Sequence, residues 1–375
     1  MRIAQMVSGG EVNGAVRHCV MLSRALAARG HEVTVFHRPN ASTARDLGGD
    51  PVRLVPTTFA RRPAEFKRIS DMLRDLAIDV VHTHMTGASN FGAALRFATG
   101  VPTIATAHAR SVKLHWMFND KVIAPSPVTG AFHRRFSLVR RDRLVMIPNF
   151  IDADRFGTIS EERRREARAR LKIRQDAYVV GSVGVISARK RQSDIVRAAA
   201  RLRQAGVDCH VVLVGAAEAG EMNEIRGLAD EHQLGKHLTL TGARADVADI
   251  LPAFDVYCAS SRLEEMPIAV LEAMAIGLPI VSTNVGGLPL LVTDGEGGYL
   301  VPFGSVEFLA DGLNGLARSP ELRARMGAAS ANKARAEFSP QALVPRIEAV
   351  YARAAAGGRR WNATVATATA SRVLP

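Results

Sequence analysis

The chain has 375 residues, more than one ordinary hydrophobic core organises, so the sequence predicts two domains. Hydrophobic residues make up 47% and charged residues 23%, which excludes a disordered or fibrous chain. The formal net charge is +13, and residues 1–150 carry 21 Lys and Arg against 10 Asp and Glu. This excess indicates either a solvated surface or an anionic partner such as nucleic acid, a membrane or an acidic substrate.

The cysteines and the apolar runs bear on location. Cys19, Cys209 and Cys258 are far apart and each lies in an apolar stretch, as small core residues do, so neither disulfides nor a zinc site is expected. The first residues lack the apolar core of a signal peptide, and no apolar run reaches the length that spans a bilayer. We therefore expect a cytoplasmic protein.

The N-terminal half alternates strands and helices. Residues 3–7 form a predicted strand, which a glycine loop connects to a helix over 16–28. The later predicted strands cover 31–36, 78–84, 101–108, 121–126 and 144–148. This alternation predicts a parallel sheet. Residues 160–174, dense in Arg and Glu, are predicted to form a surface helix at the domain junction.

A second series follows in the C-terminal half. Its predicted strands are 179–184, 209–214, 238–240, 256–259 and 279–282, and its helices are 192–205, 221–232, 245–251, 268–276, 305–318 and 320–337. The class is therefore α/β, with two doubly wound Rossmann-like domains over 1–157 and 175–338 and ligands at the carboxyl ends of the strands. A helix at 340–356 is expected to pack back on the first domain, and 357–375 is expected to be a weakly ordered tail.

The segment 260–279 places two carboxylates around a helix start. Glu264 lies in an acidic loop after a strand, and Pro267 is predicted to open the helix at its first position. Glu272 lies about a turn and a half inside, with its side chain directed back toward the start. Because a helix N-terminus binds anions, a diphosphate there would leave both carboxylates to accept hydrogen bonds from sugar hydroxyls. The pattern favours a nucleotide-sugar site.

This segment resembles the E-x7-E motif of retaining GT-B glycosyltransferases, above all family 4. The resemblance implies that Glu272 holds the ribose hydroxyls and that Glu264 contacts the transferred sugar near its C3 hydroxyl. It also implies the GT-B fold, two Rossmann-like domains facing across a cleft that holds the active site. Seven further blocks resemble the family in order, at 8–10, 79–84, 106–108, 120–126, 147–152, 284–287 and 294–299.

The resemblance also assigns the remaining site residues. His108 would reach the donor sugar, and Lys190, six residues after Gly184, would neutralise the diphosphate. Val185 stands where the family often has Arg, and Arg189 is a candidate substitute. The predicted catalytic residues are Glu264, His108 and Lys190. The predicted nucleotide-sugar-binding residues are Gly9, Gly10, Arg189, Lys190, Gly242, Glu264, Met266, Pro267, Ile268, Glu272, Gly286 and Gly287.

No metal ion or other cofactor is expected. His82 and His84 are expected to face opposite sides of their strand, which argues against a shared metal and favours packing. Asp152 and Asp154 superficially resemble a metal-binding D-x-D, but they follow Pro148-Asn149 in a block that the family uses at its domain junction. Lys190 and the helix start would supply the positive field instead.

The resemblance implies a metal-independent hexosyltransferase that retains anomeric configuration. It would move a hexosyl unit from a UDP- or GDP-sugar to a hydroxyl of a glycan or lipid-linked acceptor. The positive excess of the first 150 residues adds the expectation of a role in envelope polysaccharide or lipopolysaccharide synthesis. A nucleotide-sugar epimerase of similar architecture is the alternative; it would need acid/base residues around the sugar and no acceptor. A dehydrogenase lacks its G-x-G-x-x-G after the first strand, and few aromatic residues disfavour nucleic-acid binding.

Basic residues in the first domain suggest peripheral contact with an anionic inner membrane. One group lies at the start of a predicted helix and another near a second helix: Arg61, Arg62, Lys67 and Arg68, then Arg134, Arg135, Arg140, Arg141 and Arg143. The first helix also has an apolar face of Phe66, Ile69, Met72, Leu73 and Leu76. That face is expected either to dock on the membrane or to pack into the core.

Overall fold

The chain divides into two compact units. The computed structural model describes residues 1–60 and 62–370, with side chains as far as Gly357. The first unit contains Met1–Phe150 and the segment from Pro340 onward, and the second contains Ile151–Ser339. The boundary therefore lies at residue 151 rather than in the predicted interval between 157 and 175.

The first unit is a seven-stranded parallel sheet in the order β3-β2-β1-β4-β5-β6-β7. Its strands are β1 (Arg2–Val7), β2 (Glu32–His37), β3 (Arg53–Pro56), β4 (Val80–His84), β5 (Thr103–Thr106), β6 (Lys121–Ala124) and β7 (Leu144–Met146). Its helices are α1 (Gly14–Ala28), α2 (Ser42–Asp46), α3 (Pro63–Asp75), α4 (Met85–Thr99), α5 (Pro127–Phe136) and, from the end of the chain, α14 (Pro340–Ala370).

The second unit is a six-stranded parallel sheet in the order β10-β9-β8-β11-β12-β13. Its strands are β8 (Tyr178–Val183), β9 (Cys209–Val214), β10 (Leu238–Leu240), β11 (Val256–Ala259), β12 (Ile280–Thr283) and β13 (Gly298–Val301). Its helices are α6 (Glu161–Arg170), α7 (Gln192–Gln204), α8 (Ala219–Glu231), α9 (Val247–Ile250), α10 (Ile268–Ala275), α11 (Leu288–Leu291), α12 (Val306–Arg318) and α13 (Pro320–Glu337).

Both sheets are covered by helices, and this explains why their strands read as apolar runs. Every residue of β8 and β9 is buried. Because parallel strands are joined by crossover helices, their carboxyl ends meet at one edge of each sheet, where the connecting loops gather.

The helix α6 belongs to the second unit because it is tied to the residue before β11. Arg164 Nη1 and Arg168 Nη2 each lie 2.7 Å from a carboxylate oxygen of Asp255. Arg168 is buried, and its Nε also donates to Ala253 O. An Arg-rich segment without an apolar face is thus anchored by charge and hydrogen bonds instead of by hydrophobic packing.

The last helix, α14, packs on the first unit through its N-terminal half. Ile347 and Tyr351 are buried, and Glu348 receives hydrogen bonds from Arg29, the residue directly after α1. The helix continues to Ala370, beyond the predicted end at 356, and residues 371–375 of the predicted tail lie outside the described residues. Across 1–60 and 62–370, no helix is both long and apolar enough to cross a membrane.

Candidate active site

The carboxylate of Glu264 lies at the centre of a buried ion-pair network in the second unit. Its side chain is 7% exposed, and Lys190 Nζ lies 2.6 Å from Oε1. Ser261 Oγ donates to the same oxygen at 2.8 Å, and Arg189 Nη1 approaches Oε2 at 3.3 Å. Ser261, which sequence reasoning did not assign, is recognisable in retrospect by its position three residues before Glu264 in the same loop.

These contacts set the protonation state of Glu264. Burial alone would raise its pKa, but the charges of Lys190 and Arg189 and the hydrogen bonds from Lys190 and Ser261 outweigh burial, so the pKa is lowered. Glu264 is therefore ionised at neutral pH. It can accept further hydrogen bonds but cannot donate a proton, which suits a group that positions a hydroxyl.

Two glycines lie against the backbone of the loop between β11 and α10, residues 260–267, which we call the Glu264 loop. Gly286 has a φ of +60°, and a Cβ on it would lie 1.6 Å from Glu264 O. A Cβ on Gly287 would lie 2.0 Å from Glu265 O, and Gly287 N donates to Glu264 O at 3.1 Å. Only glycine fits this contact, so the predicted Gly286-Gly287 pair positions the loop that carries Glu264.

The helix α10 starts directly after this loop. Pro267 is the N-cap of α10 and not its first helical residue, as predicted, so the helix begins one residue later, at Ile268. The proline ring fixes φ, but the ψ of 119° is still that of extended backbone. Glu272 is the fifth residue of α10 and is buried, as are Met266 and Ile268 on either side of the cap. The helix begins without a side-chain cap. Its first amide N–H groups are therefore not bonded by a capping side chain, and they point toward the N-terminal end of the helix, where the Glu264 loop ends.

The loop after β8 brings Lys190 to Glu264. Gly184 has a φ of +144°, and a Cβ there would lie 3.2 Å from Lys190 Cε. Ser260 Oγ bonds to both Lys190 O and Arg191 O, at 3.0 and 2.7 Å. Val185, which replaces the family's usual Arg, is 53% exposed. Arg189, in the same loop after β8, also donates to Leu263 O at 2.8 Å, so its side chain packs against the Glu264 loop.

Gly242 lies after β10 and contacts the loop that follows β9. Its φ is +68°, and its carbonyl accepts a hydrogen bond from Gly215 N at 2.9 Å. Nothing lies within 4 Å of a Cβ built on Gly242. Glycine is needed here for its backbone conformation and not for close packing.

The other predicted residues lie in the first unit. A Cβ on Gly9 would lie 2.6 Å from Val16 Cγ2, whereas nothing lies within 4 Å of one on Gly10. His108 follows β5 and is partly exposed, and its Nε2 lies 3.0 Å from His84 Nδ1. Although the residue is partly exposed, its ring packs among other histidines, and desolvation of the ring followed by the charges of His18 and His82 lowers its pKa well below the usual value, so the ring is neutral at physiological pH.

The expectation that His82 and His84 face opposite sides of their strand was wrong. Side chains alternate along a strand, so residues two apart share a face. The two rings lie 4.4 Å apart, and both are fully buried. Burial is the main cause that lowers the pKa of each ring well below 6.5. His18 on α1 joins the group, with its ring 5.3 Å from that of His108.

The structure thus brings together Lys190, Arg189, Glu264 and the Gly286-Gly287 pair in the second unit, and places His108 among other histidines in the first. Asp152 precedes a 3₁₀ turn over Ala153–Arg155, and Asp154 is exposed within it. Among the described side chains, no group of three or more His, Cys, Asp or Glu residues has the arrangement of a metal site.

Family models match most of the chain. The model described as Glycosyltransferase Family 4 matches residues 12–155, and the model described as Glycosyl transferases group 1 matches residues 163–333. The first match covers most of the first unit and ends at residue 155, just inside the second unit, and the second match lies within the second unit.

The chain is also similar to individual glycosyltransferases. The chain is 29% identical to a D-inositol 3-phosphate glycosyltransferase of Mycobacterium marinum, over 94% of this chain and 84% of the relative. It is 27% identical to a phosphatidyl-myo-inositol mannosyltransferase of Mycobacterium tuberculosis, over 93% and 96%. The structure of Anabaena Alr3699/HepE in complex with UDP-glucose superposes with a TM-score of 0.83 at 20% identity, over 94% and 100%.

Two parallel Rossmann-like sheets, the Glu264 loop and these similarities define a glycosyltransferase of the GT-B fold. Within that class, the chain belongs to group 1 of the glycosyltransferases, family 4.

Proposed function

We propose that this protein transfers a hexosyl unit, with retention of anomeric configuration and without a metal ion, from a UDP- or GDP-sugar to a hydroxyl of an anionic glycan or lipid-linked acceptor. The observation that carries the proposal is the buried pair of Glu264 and Lys190, 2.6 Å apart, beside the start of α10. An ionised acceptor for sugar hydroxyls and a cation for phosphate are thereby held in one place.

The pair can serve both ends of a nucleotide sugar. A lysine ammonium has three N–H donors, so Lys190 can keep one hydrogen bond to Glu264 while it donates to a diphosphate oxygen. The uncapped amides of α10 add a second source of positive potential. Glu264 then accepts from a hydroxyl of the hexose, and Glu272 accepts from the ribose.

Retention follows from attack on the face from which the diphosphate leaves. The bond between the sugar C1 and the phosphate oxygen breaks, and a bond from C1 to the acceptor oxygen forms. The acceptor hydroxyl gives its proton to the departing phosphate oxygen. In this mechanism Glu264 and His108 orient the donor and Lys190 stabilises the negative charge on the leaving group, so catalysis is positional and electrostatic.

Glu272→Ala should weaken binding of the nucleoside diphosphate by on the order of tenfold to a hundredfold, because the ribose loses a charged hydrogen-bond acceptor. A thermal-shift titration with UDP and GDP measures this loss, since a ligand that binds only the folded protein raises its stability. Glu307→Ala, an exposed carboxylate on α12 of the same unit, is the matched control. Equal affinity of parent and Glu272→Ala protein would contradict the assignment.

The proposed acceptor carries negative charge. The relatives are named for phosphatidyl-myo-inositol and D-inositol 3-phosphate, both of which contain a phosphate, and the first 150 residues carry most of the positive excess of this chain. We accordingly propose a role in envelope polysaccharide or lipopolysaccharide synthesis for a cytoplasmic protein that visits the inner membrane.

The apolar face of α3 is not available for membrane contact. Ile69 and Leu73 are fully buried, and Phe66, Met72 and Leu76 pack against the same core cluster. Of the basic residues there, Lys67 pairs with Asp71 and Arg68 with Glu65, while Arg61 lies outside the described residues. Arg62 is exposed, but the apolar face beside it is buried, so the second group of basic residues is the better candidate for membrane contact.

The second group lies beside exposed apolar side chains. Ser137 Oγ, just after α5, donates to Ser111 O, which brings the end of α5 beside the loop at 112–114. The apolar–basic surface formed there consists of Val112, Leu114, Phe136 and Leu138 with Arg134, Arg135 and Arg141, and its apolar members are 47–61% exposed. Arg140 pairs with Asp142. Arg143 instead donates to Met117 O. Exposed apolar groups beside arginines suit an anionic bilayer.

A Leu114→Glu/Phe136→Glu variant should lose most of its sedimentation with anionic vesicles, because it adds negative charge and removes apolar contact at the apolar–basic surface. Each basic residue near such a membrane contributes about 1 kcal/mol. The parent should sediment with vesicles that contain anionic lipid at low salt and much less at high salt.

The control for this experiment is Phe308→Glu, which alters a 56% exposed aromatic residue on α12 and should sediment like the parent. Equal partitioning of the parent to neutral and anionic vesicles, or none to either, would exclude the membrane role and leave a soluble acceptor.

A further inference from the structure

The core of the first unit contains a network of hydrogen-bonded polar side chains that ends at His108. His108 Nε2 lies 3.0 Å from His84 Nδ1, and His84 Nε2 lies 2.8 Å from Gln5 Oε1. Gln5 Nε2 donates to Tyr351 Oη at 3.0 Å, and that hydroxyl lies 2.6 Å from His82 Nδ1. Gln5, His82, His84 and Tyr351 are all completely buried, so these four members of the hydrogen-bonded network are held by packing on every side.

The direction of each hydrogen bond follows from Gln5. An amide oxygen only accepts, so His84 Nε2 carries the proton that it shares with Gln5 Oε1. The buried His84 ring has a pKa well below the usual value and is neutral, which leaves its Nδ1 as an acceptor. His108 Nε2 must therefore donate to His84 Nδ1. The remaining ring nitrogen of His108, Nδ1, is then a hydrogen-bond acceptor.

At the other end of the chain, the same logic fixes Tyr351 and His82. Because Tyr351 Oη accepts from Gln5, its own proton goes to His82 Nδ1. His82 Nε2 then donates to Thr106 Oγ1 at 2.7 Å. Each link satisfies a polar group that would otherwise be buried without a partner, at a cost of about 1–3 kcal/mol each.

We propose that Gln5, His84 and Tyr351 are positioning residues that hold His108 in the tautomer protonated on Nε2, so that its Nδ1 accepts a hydrogen bond from a neutral sugar hydroxyl. This inference rests on the proposed function for its ligand, but the tautomer itself is a property of the protein alone. The site at His108 thereby favours a hydroxyl over a carboxylate or phosphate, since an anionic oxygen cannot donate to a lone pair.

The test is the protonation of the His108 ring in the full-length protein. Long-range ¹H–¹⁵N correlation spectra of histidine-labelled protein distinguish the two tautomers, and loss of signals in His108→Asn and His84→Asn proteins assigns the rings. We expect Nε2 of His108 to be protonated and Nδ1 to be unprotonated at neutral pH. A proton on Nδ1 of His108 would overturn the proposal.

Gln5→Met removes the acceptor for His84 while it keeps a long buried side chain. We expect a mixture of His108 tautomers and a kcat lowered by on the order of 10- to 100-fold, with an unchanged Kd for UDP or GDP. Met6→Leu, which changes a fully buried neighbour on the opposite face of β1, should leave the spectrum and kcat unchanged. A single retained tautomer in Gln5→Met, or an equal loss of kcat in Met6→Leu, would contradict the positioning role.

These readouts separate this inference from the proposed function. If neither UDP nor GDP raises the thermal stability of the parent, the nucleotide-sugar function fails whatever the tautomer is. If a nucleoside diphosphate binds and sugar is transferred, but His108 carries its proton on Nδ1, the positioning chain alone is refuted.

Discussion

Lys190→Met is expected to lower kcat/KM by on the order of 10²- to 10³-fold, because it removes the cation that would face the leaving diphosphate. Lys190 Nζ lies 2.6 Å from Glu264 Oε1, and the two side chains are 15% and 7% exposed. Removal of one partner of so buried an ion pair also leaves a carboxylate without its main counter-charge. The measurement is a steady-state transfer assay with the donor and acceptor varied separately.

Arg189→Met is the matched control for this prediction. Arg189 touches the same carboxylate, but at 3.3 Å and with a side chain that is 46% exposed, so solvent screens its contribution. We expect a much smaller loss of activity. Parent activity should survive excess EDTA, and Mg²⁺ or Mn²⁺ should not rescue Lys190→Met. Activity that EDTA abolishes and a divalent cation restores would instead favour a metal site at Asp152 and Asp154.

The stability of Lys190→Met should depend on pH in a particular direction. In the parent, the lowered pKa of Glu264 means that its stabilising contribution is complete at neutral pH and is lost as the pH falls through the folded-state pKa. Without Lys190, burial dominates and raises that pKa, so neutral pH destabilises the variant by on the order of 3 kcal/mol. The difference in unfolding free energy between the two proteins should therefore shrink from pH 8 to pH 5.

Gly286→Ala should destabilise the second unit by about 3 kcal/mol and lower activity by on the order of a hundredfold. A methyl group there would lie 1.6 Å from Glu264 O, and the φ of +60° is also unfavourable for alanine. The backbone must move, and Glu264 must move with it. Urea denaturation and the transfer assay measure the two effects.

The control is Gly295→Ala, which has a φ of +77° but no atom within 4 Å of the added Cβ. It isolates the backbone cost, about 1 kcal/mol, and should retain activity. Similar losses in the two variants would show that close approach to the Glu264 loop is unimportant.

The regular part of the fold was predictable because parallel strands that are buried on both faces consist mostly of apolar residues and are therefore visible as apolar runs in the sequence. The strands β9, β10 and β11 coincide with their predicted bounds. The short strand β3 was not predicted, since it lies at the sheet edge and only Val55 of its four residues is buried. β13 was not predicted either; it is four residues long, begins with a glycine and lies at the edge of the other sheet, where Tyr299 and Leu300 are only partly buried.

Only part of the candidate site was readable from sequence. The spacing of Glu264, Pro267 and Glu272 is local, so one helix start holds all three in a predictable order. The contacts of Glu264 with Lys190 and of Gln5 with Tyr351 join residues 74 and 346 positions apart. Neither residue spacing nor periodicity encodes such pairs. The histidine group was misjudged because His82 and His84 were treated like adjacent residues, which face opposite sides of a strand, although residues two apart share a face.

The position of Tyr351 near the end of the sequence means that the two units become complete at different times during synthesis. The second unit is one uninterrupted segment, Ile151–Ser339, and all of its strands are available once that segment has left the ribosome. The first unit has every strand by residue 146, but Gln5 and His82 lack their shared hydroxyl until residue 351 emerges. These two side chains therefore lack their final hydrogen-bond partner while the intervening chain is translated at about 5–20 residues per second. The domain made first is the domain finished last.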